Sequence, residues 1–162
     1  QKDVDPQQAG EIWLKGPGIT PGYWRNPQET EKAFHDGWFK TGDIGKEDND
    51  KYYFLIDRLK DIIISGGENI SPKEVETIIN QIDGIQDSAV VGLFDEKWGE
   101  KVVAVVSLHH GKSLQTHEIL DYCRKNLHPW KVPKEVLIVD QIPKNRMGKV
   151  LRDEVKALFP VQ

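Results

Sequence analysis

The chain has 162 residues, enough for one domain or for one domain and a piece of another. Its 38% hydrophobic and 30% charged residues describe a soluble globular protein with a modest core, and no apolar run approaches the roughly 18 residues that a membrane span needs. A net charge of −4 argues against a general nucleic-acid binder, and a single cysteine, Cys123, excludes an internal disulfide and fits a reducing cytoplasm, the expected location.

Residues 10–56 read as short strands and turns. Glu11-Ile12-Trp13-Leu14 is a strand, and Ile19-Thr20-Pro21-Gly22-Tyr23 a turn. Asn26 as N-cap and Pro27 at the first helical position predict a short helix up to Phe34. Gly37-Trp38-Phe39 leads into a strand ending near Asp43. Residues 46–51 make a polar turn, and Tyr52-Tyr53-Phe54-Leu55-Ile56 is aromatic and β-prone. Such a hairpin-rich piece leaves open edges when it stands alone.

Residues 57–61 alternate in charge and read as a linker. Beyond them a compact α+β domain is expected. Ser71-Pro72-Lys73-Glu74 is a capping box with proline at the first helical position, and Val75, Ile78, Ile79 and Ile82 fall on one helical face. Residues 89–93 and 102–106 are apolar, β-branched runs, hence buried strands. A second helix starts at Ser113 or Thr116, turns Ile119, Leu120, Cys123 and Leu127 inward, and stops at His128-Pro129. Residues 136–139 form another strand, and Leu151, Val155 and Leu158 mark a short terminal helix. The sum is a mixed sheet with helices packed on it. Cys123 belongs to this core. The five histidines show no metal-ligand spacing, so no metal site is expected, and His109-His110 reads as a strand end at a turn.

Four stretches carry residues suited to chemistry. Lys40-Thr41-Gly42-Asp43 ends in a carboxylate that can accept hydrogen bonds from two vicinal hydroxyls, as a ribose offers; a turn aspartate bonding its own backbone is the alternative. In Asp57-Arg58-Leu59-Lys60-Asp61, Arg58 offers a planar fork of donors to ribose or phosphate oxygens, or else a surface ion pair with Asp57 or Asp61. Ser65-Gly66-Gly67, which follows that segment after an apolar strand, lets a narrow ligand pass close to backbone, or simply turns a hairpin. Pro143-Lys144-Asn145-Arg146-Met147-Gly148-Lys149 sets a lysine just behind a glycine in a basic loop, suited to reaching a phosphate or carboxylate; a solvated loop is the alternative.

Taken in order, these segments resemble the adenylate-forming acyl-CoA synthetase family. Gly10-Glu11-Ile12, Gly16-Pro17-Gly18 and Gly22-Tyr23-Trp24 resemble the motif ahead of the family's ribose-binding aspartate, and residues 36–43 the segment that ends in it. Residues 143–149 resemble the terminal catalytic-lysine motif. The likeness is greatest to malonyl-CoA-synthetase-like ligases, through Ile64-Ser65-Gly66-Gly67, Pro72-Lys73-Glu74-Val75-Glu76 and Asn145-Arg146-Met147-Gly148-Lys149.

The resemblance implies an ATP-dependent carboxylic acid–CoA ligase. Residues 1–57 would be the β-rich end of its large AMP-binding domain, 58–61 a hinge linker, and 62–162 the mobile C-terminal domain. It implies Lys149 as the catalytic lysine, Asp43 and Arg58 as nucleotide contacts, and Lys60 as the hinge. It implies Gly67 on the pantetheine path, with Arg124 and Lys131 facing the CoA nucleotide. Relatives usually carry glycine where Asp57 stands. ATP, CoA and Mg2+ are the implied cofactors, the metal held mainly by the large N-terminal domain. That domain of the same chain and a small carboxylic acid are the implied partners. It also holds the family's Ser/Thr/Gly-rich phosphate loop, for which this chain has no counterpart, so the chain is expected to be the C-terminal part of a longer enzyme and inactive alone. An enzyme that loads a carrier-protein pantetheine shares these motifs, and a non-catalytic binding module of the same fold is a third possibility.

Overall fold

Strand β3, Trp38–Glu47, organises the first part of the chain. The computed structural model describes residues 4–5 and 7–160, and the chain divides into two compact units, Gln1–Lys60 and Asp61–Gln162. In the first unit β3 pairs antiparallel with β1 (Gly10–Leu14), β2 (Phe34–His35) and β4 (Tyr53–Arg58). Helix α1, Pro27–Ala33, starts as its cap signals predict: the Asn26 side chain accepts the Glu29 N–H, and Pro27 stands in the first turn, where its missing N–H costs nothing.

Two strands run further than the sequence suggests. β3 does not stop at Asp43 but continues to Glu47, with a register shift against β4 between Ile44 and Gly45. A bulge of this kind re-aims side chains without ending the ladder, so the Thr-Gly-Asp turn signal marks a kink and not a strand end. β4 in turn takes in Asp57 and Arg58. The chain then makes one 3-10 turn, Leu59–Asp61, and the division between units falls after Lys60.

The second unit is a five-stranded sheet with helices packed on it. β5 (Ile63–Ser65) and β6 (Glu68–Ile70) form a hairpin, α2 spans Pro72–Ile79, and β7 (Ile85–Asp95) and β8 (Gly99–Leu108) form a long antiparallel ribbon. After α3 (Thr116–Asn126), β9 (Glu135–Val139) lies parallel to β8, and α4 (Arg152–Ala157) closes the domain. β8 shows why the sheet is covered on both sides. Its side chains alternate, so Val102, Ala104 and Val106 join Val75, Ile79, Ile119 and Cys123 of α2 and α3 in one core. Val103 and Val105 join Val155 of α4 and Phe159 in the other. The unit is therefore α+β with helices on both faces. Val155 of the terminal helix and Phe159 just beyond it are buried, whereas Leu158 is exposed. Among the described residues no helix is long and apolar enough to cross a membrane.

Caps fix α2 and α3 in place. The Ser71 hydroxyl accepts the Glu74 N–H, and the Glu118 carboxylate accepts the Gln115 N–H at 2.7 Å. The first unit is far less enclosed. Tyr52, Tyr53, Phe54 and Leu55, four neighbours along the chain, are each more than half exposed.

Candidate functional site

Asp43 and Arg58 face each other across β3 and β4. The Arg58 Nε lies 2.6 Å from Asp43 Oδ1, so the guanidinium pairs across the two strands. The Asp57 carboxylate instead accepts the Arg58 backbone N–H at 2.8 Å, which holds the strand end where a glycine was expected. On the other strand the Thr41 hydroxyl donates to the Ile12 carbonyl at 2.7 Å and accepts the Asp43 N–H at 3.0 Å, while Glu11 accepts the Gly42 N–H. Gly42 has φ +70°, which a side chain resists. Thr41, Gly42 and Asp57 thus build the backbone that presents the pair. Both partners keep access to solvent, so the pair adds little to stability. It offers carboxylate oxygens and guanidinium donors side by side, a set that can grip a polyol.

Lys60 is exposed in the middle of the Leu59–Asp61 turn and is the last residue of the first unit.

In the second unit Gly66 and Gly67 form the two-residue turn between β5 and β6, with φ of +61° and +87°. Both angles are positive, as a type I′ hairpin demands. The two glycines differ in surroundings. A Cβ on Gly66 would lie 2.9 Å from the Trp98 ring, whereas one on Gly67 would meet nothing within 4 Å. Trp98, which sequence reasoning did not single out, is held over this turn. Its carbonyl accepts the Gly66 N–H at 2.8 Å, its own N–H is taken by Asp95, and Lys97 lies 4.9 Å above its ring. The only hint in the sequence was an aromatic residue beside a glycine in a polar turn.

Arg124 and Lys131 are both engaged. Arg124, on α3, bonds Asp121 one turn earlier at 2.6 Å, and Lys131, just after α3, bonds both Glu74 oxygens at 2.6 and 2.8 Å. They lie on elements other than the Gly66-Gly67 turn.

Lys149 ends a loop that its own backbone fixes. The Asn145 carboxamide oxygen accepts the N–H groups of Met147 and Lys149 at 2.9 and 3.0 Å. The Asn145 N–H donates to the Lys149 carbonyl, the Gly148 N–H donates to the Asn145 carbonyl, and Gly148 takes φ +80°. Lys144 bridges to Val150 through the backbone and pairs with Asp87 through its ammonium. Lys149 is exposed, and among the described residues no carboxylate pairs with it. The loop therefore presents one unneutralised ammonium on a rigid base.

Asp43 and Arg58 come together; Lys149 belongs to the other unit. Cys123 is fully buried, and burial pushes its thiol up to about 11, so it is no nucleophile at neutral pH. Among the described residues no three His, Cys, Asp or Glu side chains gather as a metal cage.

Comparison with known proteins gives this arrangement a context. Residues 74–149 match the AMP-binding enzyme C-terminal domain. The chain is 42% identical over 159 residues to a 2-succinylbenzoate–CoA ligase of Geobacillus kaustophilus, a match covering 98% of this chain and 32% of the ligase. ATP-bound MatB from Rhodopseudomonas palustris superposes with a TM-score of 0.90 at 38% identity, over 97% of this chain and 31% of that one. The o-succinylbenzoate CoA synthetase MenE from Bacillus subtilis, in complex with its acyl-adenylate intermediate, superposes with a TM-score of 0.87 at 38% identity, over 94% of this chain and 31% of that one. The chain thus spans about a third of the length of the relatives it matches. It carries, over residues 74–149, an AMP-binding enzyme C-terminal domain, and it is similar over nearly its whole length to the C-terminal third of acyl-CoA ligases.

Proposed function

We propose that the chain is the C-terminal part of an ATP-dependent carboxylic acid–CoA ligase. The substrate carboxylate attacks the α-phosphate of ATP to give acyl-adenylate and pyrophosphate, and the CoA thiol then displaces AMP to give the thioester. The observation that carries the reading is the exposed Lys149 ammonium, without a carboxylate partner among the described residues, on a loop held by Asn145. A fixed positive charge suits a reaction in which negative charge builds on the α-phosphate and the departing pyrophosphate. The lysine needs to transfer no proton.

Asp43 accepts the ribose hydroxyls and Arg58 donates to the nucleotide; their 2.6 Å pairing keeps both side chains in place before the ligand arrives. Lys60 is the pivot about which residues 62–162 turn between the half-reactions, as the end of the large domain in residues 1–57 stays put. The open Gly67 position lies along the pantetheine arm. Arg124 and Lys131 face the CoA nucleotide, and each would exchange its present carboxylate for phosphate. Mg2+ enters with ATP and is held chiefly by groups of the large N-terminal domain. The enzyme works in the cytoplasm on a small carboxylic acid.

The test is pyrophosphate exchange into ATP by the full-length protein, dependent on an added carboxylic acid, followed by thioester formation with free CoA. A panel of aliphatic and aromatic acids that supports neither reaction would refute the ligase reading. Exchange without a CoA thioester, but with loading of a carrier-bound pantetheine, would move the acceptor.

A further inference from the structure

Arg152 opens α4 three residues beyond Lys149, and its guanidinium is shared among three elements. Nε lies 3.5 Å from Asp61 Oδ2, and Nη1 lies 3.4 Å from Glu76 Oε1 on α2. Nη1 also donates to the Val90 carbonyl on β7. The same Glu76 oxygen accepts the Val90 N–H at 3.0 Å, so α2, β7 and α4 are closed into a ring. The side chains of Arg152, Asp61 and Glu76 are only 23%, 18% and 19% exposed. An exposed ion pair constrains little, but a planar guanidinium sheltered among fixed acceptors holds its partners in one geometry.

What the guanidinium joins matters more than its strength. Asp61 follows Lys60 directly and is the first residue of the second unit. At the other end only Val150 and Leu151 separate Arg152 from Lys149. That short path is stiff, because the Leu151 N–H bonds the Pro143 carbonyl at 2.9 Å and Val150 bridges to Lys144. A connected line therefore runs from the residue beside the pivot, through one guanidinium, to the lysine loop.

We propose that Arg152 is a positioning residue: by fastening Asp61 to the head of α4, it makes the segment after the pivot and the Lys149 loop turn as one body. The setting of the Lys149 ammonium during adenylation then depends on the Arg152–Asp61 pair. The inference rests on the ligase reading above. Misplacement by about 1 Å of a group that stabilises a transition state costs as much as 100-fold in rate, so a loosened link is visible in the first half-reaction even where the fold survives.

The experiment compares Asp61→Asn, Arg152→Gln and the double variant of the full-length enzyme with wild type. Each single change should lower kcat for pyrophosphate exchange about tenfold or more while leaving the KM for ATP nearly unchanged, and the double variant should be no worse than the poorer single. Thioester formation from supplied acyl-adenylate should stay close to wild type. Equal loss of both half-reactions, losses that multiply in the double variant, or unchanged exchange would overturn the proposal. If Arg152→Gln does not fold, Asp61→Asn, which keeps the side-chain volume, decides alone. A second readout needs no activity: in the 162-residue chain, Asp61→Asn should speed hydrogen exchange at the Leu151 amide about tenfold while the Val103 and Val105 amides hold their protection. Wild type inactive with every acid but with this amide response would refute the ligase reading and keep the link; an active wild type without the response would do the reverse.

Discussion

Lys144 and Lys149 sit at the two ends of one loop, yet only Lys144 is tied down, through Asp87. The two lysines should therefore behave differently on removal. Lys149→Ala in the full-length enzyme is expected to reduce carboxylate-dependent pyrophosphate exchange about 100-fold or more. Thioester formation from supplied acyl-adenylate should be largely spared, since the role proposed for the charge is at the α-phosphate alone. Lys144→Ala removes a partly exposed pair of the kind that contributes about 0–1 kcal/mol, and exchange should fall no more than about fivefold. Equal effects of the two substitutions would mean that loop charge, and not Lys149, matters.

Gly66 and Gly67 make a matched pair for separating strain from packing. Alanine at either position must hold a positive φ, at a cost of roughly 1–2 kcal/mol. Only at Gly66 does the new methyl also meet the Trp98 ring. Denaturant unfolding should rank Gly66→Ala as the less stable variant, and adding Trp98→Ala should recover part of the loss in Gly66→Ala but none in Gly67→Ala. Identical unfolding midpoints for the two alanine variants would show that the ring yields freely. In the full-length enzyme, Gly67→Ala should slow thioester formation more than pyrophosphate exchange.

What is local in these elements is legible in the sequence. Asn26-Pro27 and Ser71-Pro72 announce two helix starts because a cap involves residues within one turn. The unbroken apolar run of β8 announces a buried strand, and the loop motifs point to Asp43, Arg58 and Lys149 as the residues to test. Partners across the fold are not legible. A single aspartate has several arginines to choose from, and only the folded chain decides that Arg58 meets Asp43, through the β3–β4 register, while Asp61 meets Arg152. The extension of β3 past Asp43 is hidden for a related reason, since glycine in a turn motif and glycine in a bulge look the same in one strand. Trp98 gives no signal because its role comes from the small turn that approaches it from another hairpin.

Cys123 should be inert in the folded protein. Its thiol is buried and raised to about 11, so thiolate is scarce at pH 8 and access is blocked. A disulfide-exchange reagent should label it only as fast as the domain opens, and rapidly in denaturant. The same shift fixes a sign for stability. The unfolded thiol releases its proton near pH 8.5, the folded one near 11, so above about pH 8.5 the unfolded state binds fewer protons. This group's contribution is intact below that pH and is lost as pH rises towards 11. Cys123→Ala should remove that portion of the alkaline loss. Fast stoichiometric labelling under native conditions would contradict the burial.

Lys60 gives the sharpest test of the motion proposed between the half-reactions. It lies exposed within one 3-10 turn where the two units meet along the chain, and no residue of that turn is buried. A pivot needs backbone angles that can take two settings, and Lys60→Pro removes that freedom by fixing φ near −65° and restricting Leu59 before it. On the ligase reading proposed above, adenylation comes first and needs one setting, and thioester formation needs the change. The proline variant of the full-length enzyme should therefore retain pyrophosphate exchange and lose CoA-thioester production, whereas Lys60→Ala, which leaves φ and ψ free, should retain both. The turn itself is not buried, so the thermal midpoint should move little in either variant. A proline variant that makes thioester at the wild-type rate would place the pivot elsewhere, and one that loses both reactions with an unchanged midpoint would show that the setting for adenylation also requires an unrestricted Leu59.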